Sequence, residues 1–167
     1  MLQKGGIEVK VTFQLPCSKI FEFFGQLIQL PQEKATVEYS FLKYWHNLVD
    51  ISSLEIREPV IGFLEVKRRE FVLEQMERHL LSDEIFIPLT GIGIFPLSPA
   101  NSDPSKDASE IRTFLVDGEV AFLLKKGTWH WAPYPLTDTM KFLIVVDKRT
   151  VDNDIHVMKL TSPLLLI

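Results

Sequence analysis

Apolar residues alternate with polar ones over much of this 167-residue chain, a spacing typical of β-strands with one buried face. Residues 7–15, IEVKVTFQL, carry an apolar side chain at every second position and predict the first strand. Similar runs predict further strands, at residues 37–41, 60–66, 84–90, 111–117, 119–125 and 141–147. Turn-forming sequences separate the strands, at TGIG, DGE, KKG and DKRTVDND.

One segment near the N-terminus has a different period. In SKIFEFFGQLIQLP, residues 18–31, apolar residues recur at intervals of three and four: Ile20, Phe23, Phe24, Leu27 and Ile28. Ser18 can cap the start and Pro31 ends the segment, so the pattern predicts one short helix. Since the rest is strands and turns, we expect an all-β fold, a closed antiparallel sandwich or barrel. The length suits a single domain over residues 1–167.

The amino-acid composition limits which partners and which cellular compartment are expected. The net charge is −4 with a pI near 5.6, and no basic stripe is present, so nucleic acid is not an expected partner. Cys17 is the only cysteine, which excludes an internal disulfide and suits a reducing compartment. No apolar run approaches the roughly 20 residues of a membrane helix. The sequence therefore predicts a soluble, cytoplasmic protein without a membrane partner.

Two further segments are predicted from composition. SPANSDPSKDAS, residues 98–109, has no large apolar residue and predicts a solvent loop between two strands. PLLLI, residues 163–167, is too short to span a membrane and predicts a strand or a covered patch. Both this tail and the first strand could serve as a subunit contact, or they could simply close the barrel.

The first candidate functional residues lie in MERHLLSDEIFIPLTG, residues 76–91. Glu77 and His79 are two residues apart, so on one strand their side chains point to the same face. Glu84 follows five residues after His79, and Gly91 closes the next turn. This spacing resembles the first motif of the cupin superfamily, with Glu77 where the first histidine usually stands.

A second segment resembles the other cupin motif. Gly127 and His130 keep its spacing, and Tyr134 takes the position of the usual asparagine. The resemblance implies a double-stranded β-helix, or jelly-roll barrel, that holds one divalent metal ion in its mouth. The implied ligands are Glu77, His79, Glu84 and His130. Two imidazoles and two carboxylates suit Mn, Fe, Ni or Zn better than a metal that prefers thiolates.

Each fragment also has a simpler interpretation. His130 lies within LKKGTWHWAPYP, residues 124–135, and a histidine among tryptophans is often a packed, hydrogen-bonded core residue. An isolated Glu-x-His sequence occurs by chance in many proteins. The two half-motifs gain weight because they occur in the cupin order in a strand-rich chain. Even so, they indicate a fold and a site rather than a reaction.

A closer resemblance extends from about residue 18 to residue 147. The chain is similar to the ureidoglycolate lyase family, formerly called ureidoglycolate hydrolase, in these segments: FEFFGQLI (21–28), WHNL (45–48), MERH (76–79), FIPL (86–89), DGE (117–119) and GTWHWAP (127–133). Two positions depart from the family pattern. Leu80 stands where a proline commonly follows the Arg-His pair, and Trp131 stands where a second histidine is common.

The family resemblance implies a lyase of the amidine-lyase type, which splits ureidoglycolate into glyoxylate and urea in allantoin degradation, a part of purine catabolism. Such an elimination needs a base for the hydroxyl proton and an acid for the departing nitrogen, but no nucleotide cofactor. The residues that could supply this chemistry are Glu77, His79 and His130. The resemblance also implies a homodimer.

Three further residues are predicted to bind the small-molecule substrate. Arg68 aligns with an arginine of the family and could hold the substrate carboxylate in a bidentate manner, although it could equally be a solvated member of the KRRE run. His46 could reach the pocket from a loop, and Trp131 could shape its wall. Arg78 alternates away from Glu77 and is expected to face outward.

Two other functions remain open on the sequence. One is a metal-dependent cupin enzyme, such as an isomerase or a dioxygenase, for another small acid or sugar. The other is a non-catalytic cupin that senses a ligand. Trp131 removes a titratable group that the family commonly has, and this favours the alternatives.

Overall fold

The structure is a computed structural model, and it describes residues 10–167. The strands within this range are β1 Lys10–Val11, β2 Phe13–Gln14, β3 Gly25–Ile28, β4 Val37–Tyr39, β5 Leu42–Tyr44, β6 Pro59–Lys67, β7 Val72–Arg78, β8 Glu84–Thr90, β9 Gly93–Ser98, β10 Arg112–Val116, β11 Ala121–Leu124, β12 Trp129–His130, β13 Tyr134–Pro135, β14 Thr139–Asp147 and β15 His156–Leu166. The helices are α1 Ser18–Phe21, α2 Thr150–Asn153 and two short 3₁₀ turns, at Ile51–Ser53 and Ala108–Glu110. None of these helices has the length and apolar character needed to cross a membrane.

The strands form two large sheets and one separate hairpin. The larger sheet has the order β1-β15-β7-β12-β9-β10-β2, with β13 paired to β9. The second sheet has the order β3-β11-β8-β14-β6, and β4 pairs only with β5. The two sheets form a nearly closed barrel. The prediction of an all-β fold is confirmed, and the arrangement is consistent with the jelly-roll barrel of a cupin.

Phenylalanine side chains fill much of the barrel interior. The buried rings come from α1, from the turn that follows it and from strands of both sheets: Phe21, Phe24, Phe86, Phe95, Phe114, Phe122 and Phe142. Neighbouring rings meet edge-on or tilted, as for Phe95 and Phe122, whose centroids lie 5.7 Å apart at 90°. Burying such large rings provides much of the driving force for closing the barrel.

A second buried cluster explains the segment predicted as a solvent loop. Trp129 belongs to this cluster, and its indole nitrogen donates a hydrogen bond to the carbonyl of Ser102 at 3.2 Å. Ala108 packs against the same cluster, and the Thr161 hydroxyl donates to the carbonyl of Ser105. The polar segment 98–109 therefore covers apolar side chains rather than only joining two strands.

The helix predicted within residues 18–31 is shorter in the structure. Residues 18–21 form α1, but residues 25–28 form β3, which pairs with β11. Close backbone contact explains the difference, because a Cβ at Gly25 would stand 1.8 Å from the carbonyl oxygen of Leu123. The N-cap is Cys17, whose side chain makes no capping hydrogen bond, so Ser18 is not the cap that was predicted.

The chain ends also differ from the simple prediction. Residues 7–9 of the first predicted strand lie outside the described range, and the rest divides into β1 and β2. These two short strands pair in parallel with different partners, β15 and β10. In the C-terminal tail, Leu164 and Leu166 are buried in the second cluster. Much of the tail's apolar surface is thus covered within the chain.

Gly25 gives a direct test of this packing. We expect Gly25→Ala to lower the free energy of unfolding by about 2 kcal/mol or more, because the added methyl group meets backbone atoms that cannot rotate away. Gly62→Ala is the matched control, since the nearest atom to its Cβ is 3.9 Å away. Urea denaturation of both variants provides the measurement. Equal effects of the two substitutions would contradict this account of β3.

Candidate active site

The structure brings together the four residues that the cupin spacing selects. Glu77 lies on β7 directly opposite His130 on β12. His79 follows the last residue of β7, and the amide of Gly127 donates a hydrogen bond to its carbonyl. Glu84 is the first residue of β8 and reaches the group from the second sheet. The two half-motifs therefore meet between the sheets, in the cupin arrangement.

Glu84 lies at the centre of this group. Its Oε2 atom is 3.4 Å from Nε2 of His79 and 3.4 Å from Nε2 of His130. Glu77 Oε1 is 3.9 Å from Nε2 of His130. One ligand atom from each of Glu77, His79 and His130 lies within 4.8 Å of the others. Both imidazoles therefore direct the same ring nitrogen toward carboxylate oxygens.

Backbone carbonyls fix the orientation of both imidazole rings. Nδ1 of His79 lies 2.7 Å from the carbonyl oxygen of Asp154, and Nδ1 of His130 lies 3.0 Å from that of Thr128. A carbonyl oxygen only accepts, so each Nδ1 carries the proton and donates it. In the neutral ring the lone pair is then on Nε2, which is the nitrogen that faces Glu84. This is the tautomer that a metal-binding histidine adopts when its second nitrogen is held in this way.

Asp154 contacts the candidate site in a way that the sequence did not reveal. Besides its carbonyl contact with His79, its carboxylate accepts hydrogen bonds from the amides of Leu80 and Leu81, both at 2.8 Å. The residue is almost completely buried. It therefore holds the segment that follows His79 from two sides. No local motif identifies it, because its partners lie more than 70 positions earlier in the chain.

The donor set fits a divalent cation. Glu84 Oε2 is buried and has no hydrogen-bond partner among the described residues. Such an orphaned carboxylate oxygen between two imidazole nitrogens is expected where a cation completes the site. Atoms about 2.1 Å from one ion stand about 3.0–3.4 Å apart, close to the observed separations from Glu84. The buried Glu and His residues could hold a metal ion.

The pKa values of the two buried histidines are shifted in opposite directions. Burial lowers the pKa of His79, but the Glu84 carboxylate at 3.4 Å, the carbonyl of Asp154 and the charge of Glu77 outweigh it and raise this pKa to about 9. Burial dominates at His130 and lowers its pKa, although Glu84 opposes the change. Without a metal ion, one imidazole is thus charged near neutral pH and the other is neutral.

Access to the group is greatest at Glu77. Its side chain is 26% exposed, compared with 11% or less for His79, Glu84 and His130. On another side, the space that His79, Glu84 and His130 share with Ser82, Leu124 and Thr128 is too narrow to hold a water molecule. A small molecule would therefore meet Glu77 first.

His130 is both a packed core residue and a member of the candidate site, the two interpretations that its aromatic segment left open. It is buried, and the Phe86 ring lies edge-on at a centroid distance of 5.9 Å. Trp129 and Trp131 pack with the second cluster instead, and the Arg78 guanidinium stacks over Trp129 at 4.2 Å. His130 is thus a core residue whose Nε2 still faces the carboxylates. Arg78, as expected, does not join them.

The residues predicted to bind substrate contact other parts of the chain rather than the four-residue group. Arg68 is exposed and donates to the carbonyl of Leu136 at 3.0 Å. His46 follows the separate β4–β5 hairpin, where its Nδ1 lies 3.0 Å from the Tyr44 hydroxyl. The structure therefore does not bring Arg68, His46 or Trp131 to the four-residue group.

A nearly closed β-barrel with a buried group of two histidines and carboxylates is consistent with a cupin-type protein. A sequence model described as ureidoglycolate lyase matches residues 10–166, so the chain belongs to the ureidoglycolate lyase family. Two curated relatives are also called ureidoglycolate lyase. The protein from Escherichia coli strain SMS-3-5 / SECEC is 26% identical over 143 residues, and that from strain K12 is 25% identical over 146 residues. Each match covers 83% of this chain and 88% of the relative.

Likeness to solved structures is weaker. A crystal structure of CapF with the inhibitor 3-isopropenyl-tropolone matches with a TM-score of 0.45 and 18% identity. The match covers 64% of this chain and 29% of the CapF chain. It has no weight in the assignment of function.

The raised pKa of His79 predicts how stability depends on pH in metal-free protein. In the folded protein the pKa of His79 is about 9, above its ordinary value of 6.5. The contribution of His79 to the free energy of unfolding is therefore complete below pH 6.5 and is lost as the pH rises to 9. We expect wild-type protein in EDTA to lose on the order of 2 kcal/mol more unfolding free energy across this window than His79→Gln. Urea denaturation at several pH values measures the difference.

His130 does not interfere with this measurement. Its folded pKa is lowered, so its contribution is present above its ordinary pKa and is lost as the pH falls. His46→Gln serves as a control that leaves the buried group unchanged and should follow the wild-type curve. A His79→Gln protein with the same loss as wild type between pH 6.5 and 9 would contradict the assignment.

Proposed function

We propose that this protein cleaves ureidoglycolate into glyoxylate and urea, with Glu77, His79, Glu84 and His130 as its active site. One observation carries the proposal: these four residues, selected by spacing, converge in the barrel of a chain that belongs to the ureidoglycolate lyase family. The curated relatives support the same activity by their names. The geometry favours this function over sensing because a base and an acid face each other in one buried group.

The reaction is an elimination at the carbon that bears the hydroxyl and ureido groups. Glu77 accepts the hydroxyl proton, since it is the most accessible carboxylate of the group. The C–O bond becomes the carbonyl of glyoxylate as the C–N bond breaks, and the departing nitrogen takes up a proton to give urea. Burial of Glu84 beside His79 supplies a charged imidazole that can donate this proton from Nε2 in metal-free protein.

We also propose that the site holds one divalent metal ion: Mn, Fe, Ni or Zn. Glu77, His79, Glu84 and His130 would be its ligands, as the orphaned Glu84 oxygen and the two Nε2 atoms suggest. When bound, the ion would lower the pKa of the substrate hydroxyl. Nε2 of His79 could not then act as the acid. Glu77 would bind the ion through one carboxylate oxygen, and its second oxygen would take up the hydroxyl proton and return it to the urea nitrogen.

The finer biological assignments remain predictions. A role in allantoin degradation and a cytoplasmic location agree with the proposed reaction. A homodimer stays a prediction; the exposed apolar side chains Ile61 and Phe63 on β6, the last strand of its sheet, would suit such a contact. Binding of the substrate by Arg68, His46 and Trp131 also stays a prediction.

Release of glyoxylate from ureidoglycolate tests the proposed reaction. We expect wild-type protein to release glyoxylate, and Glu77→Gln to lower kcat about 100-fold or more because it removes the base. Glu74→Gln is the matched control, since Glu74 is an exposed carboxylate on the same strand. No release above background by wild-type protein, with or without added divalent metal, would overturn the proposal.

Metal content tests the second part separately. We expect purified protein to bind up to one Zn²⁺ or Mn²⁺ per chain, measured by mass spectrometry of the metal and by calorimetric titration. Glu84→Gln should weaken binding at least 10-fold because it removes the central carboxylate, whereas Glu74→Gln should not. Equal metal binding by wild-type and Glu84→Gln protein would exclude this site. Such a result would leave the metal-free elimination open.

A further inference from the structure

A second cleft lies beside the candidate active site and is lined mainly by polar residues. It has a volume of about 210 Å³, and its walls include Arg57, Lys126, Arg149 and Asn153. Ser82 borders both this cleft and the small space next to Glu84. Asp154, whose carbonyl accepts a hydrogen bond from His79, also forms part of the wall. The cleft therefore lies next to the residue that holds the His79 imidazole in place.

The acidic residues of the cleft are Glu55, Asp147 and Asp154, and all three are already occupied. Glu55 Oε1 pairs with Nζ of Lys126 at 2.9 Å. The Asp147 carboxylate accepts hydrogen bonds from the amides of Arg57 and Glu58, at 2.9 and 3.0 Å, and from the amide and Nε of Arg149. Asp154 likewise accepts two backbone amides. Carboxylate oxygens that are satisfied in this way have little capacity left to bind a cation.

The side chains of the cleft that still have unused hydrogen-bonding capacity are donors. The Arg57 guanidinium has no hydrogen-bond or ion-pair partner within residues 10–167, and Arg149 uses only Nε for its contacts there. Lys126 contacts Glu55 at 2.9 Å and has further N–H groups. Thr150 is 4% exposed, and its hydroxyl has no partner in the same part of the chain. A ligand with several acceptor oxygens would satisfy these groups.

We propose that this cleft binds a small oxyanion, a carboxylate or a phosphate. Asp147 anchors the backbones of both Arg57 and Arg149, so these two arginines enter the wall of the cleft side by side. Guanidinium groups bind carboxylate and phosphate in a bidentate manner, and Lys126 and Asn153 add donors from other parts of the cleft. The cleft volume suits a ligand of a few heavy atoms rather than a nucleotide.

Titration of the whole protein with two probes tests the site and separates the two sources of oxyanion. Inorganic phosphate and succinate are added separately at fixed ionic strength while amide chemical shifts are recorded by NMR. We expect saturable shifts at residues that line the cleft, including Ser82, Lys126 and Asn153, for at least one probe. Saturation by phosphate alone or by succinate alone identifies the source.

Arg57→Gln provides the decisive variant. It should weaken binding of the probe at least fivefold and leave the melting temperature unchanged, because the guanidinium has no recorded partner in the described chain to lose. Arg112→Gln removes the same charge from a residue outside the cleft and should bind like wild type.

Three results would overturn the proposal. The first is the absence of saturation by either probe up to about 50 mM, which corresponds to a binding free energy weaker than about −2 kcal/mol. The second is equal weakening by Arg57→Gln and Arg112→Gln, which would indicate a general effect of charge. The third is a set of shifts confined to Glu77 and His130, which would place the anion in the active site. None of these results depends on activity with ureidoglycolate.

Discussion

Burial of the Glu84 carboxylate is the constraint on which the rest of the site depends. A carboxylate removed from water costs several kcal/mol unless positive charge or hydrogen bonds compensate it. Glu84 is buried near the phenylalanine-rich core, and within residues 10–167 the ion-pair contacts of its Oε2 are with the Nε2 atoms of His79 and His130. Compensation must then come from a protonated imidazole or from a cation between the three residues. The raised pKa of His79 and the fit to a metal ion are two consequences of the same burial.

The imidazoles can meet this demand only because their other nitrogens are fixed. The carbonyls of Asp154 and Thr128 occupy both Nδ1 positions, so rotation of either ring would break a buried hydrogen bond. The two anchors come from different parts of the chain, one before β12 and one between α2 and β15. Closure of the barrel is therefore what prepares the site, and little rearrangement is needed when charge develops on a substrate.

The sequence predicted the parts of the molecule that depend on local pattern. Alternation correctly located strands such as β8, and motif spacing selected Glu77, His79, Glu84 and His130. The helix extension over residues 25–28 failed because Gly25 lies against the backbone of Leu123, a contact almost 100 positions away. Asp154 and Arg57 were missed for a similar reason. Their contacts depend on how strands from both ends of the chain come together, and no short motif encodes this.

The two departures from the family pattern have different consequences in this structure. Trp131 packs with the second apolar cluster, so it leaves the Glu77–His130 group intact. Leu80 has a more direct effect, since its amide donates to the Asp154 carboxylate. A proline at this position has no N–H and could not make that hydrogen bond. Leu80 therefore adds a hydrogen bond that strengthens the link between Asp154 and the segment after His79, so this departure supports the orientation of a site residue.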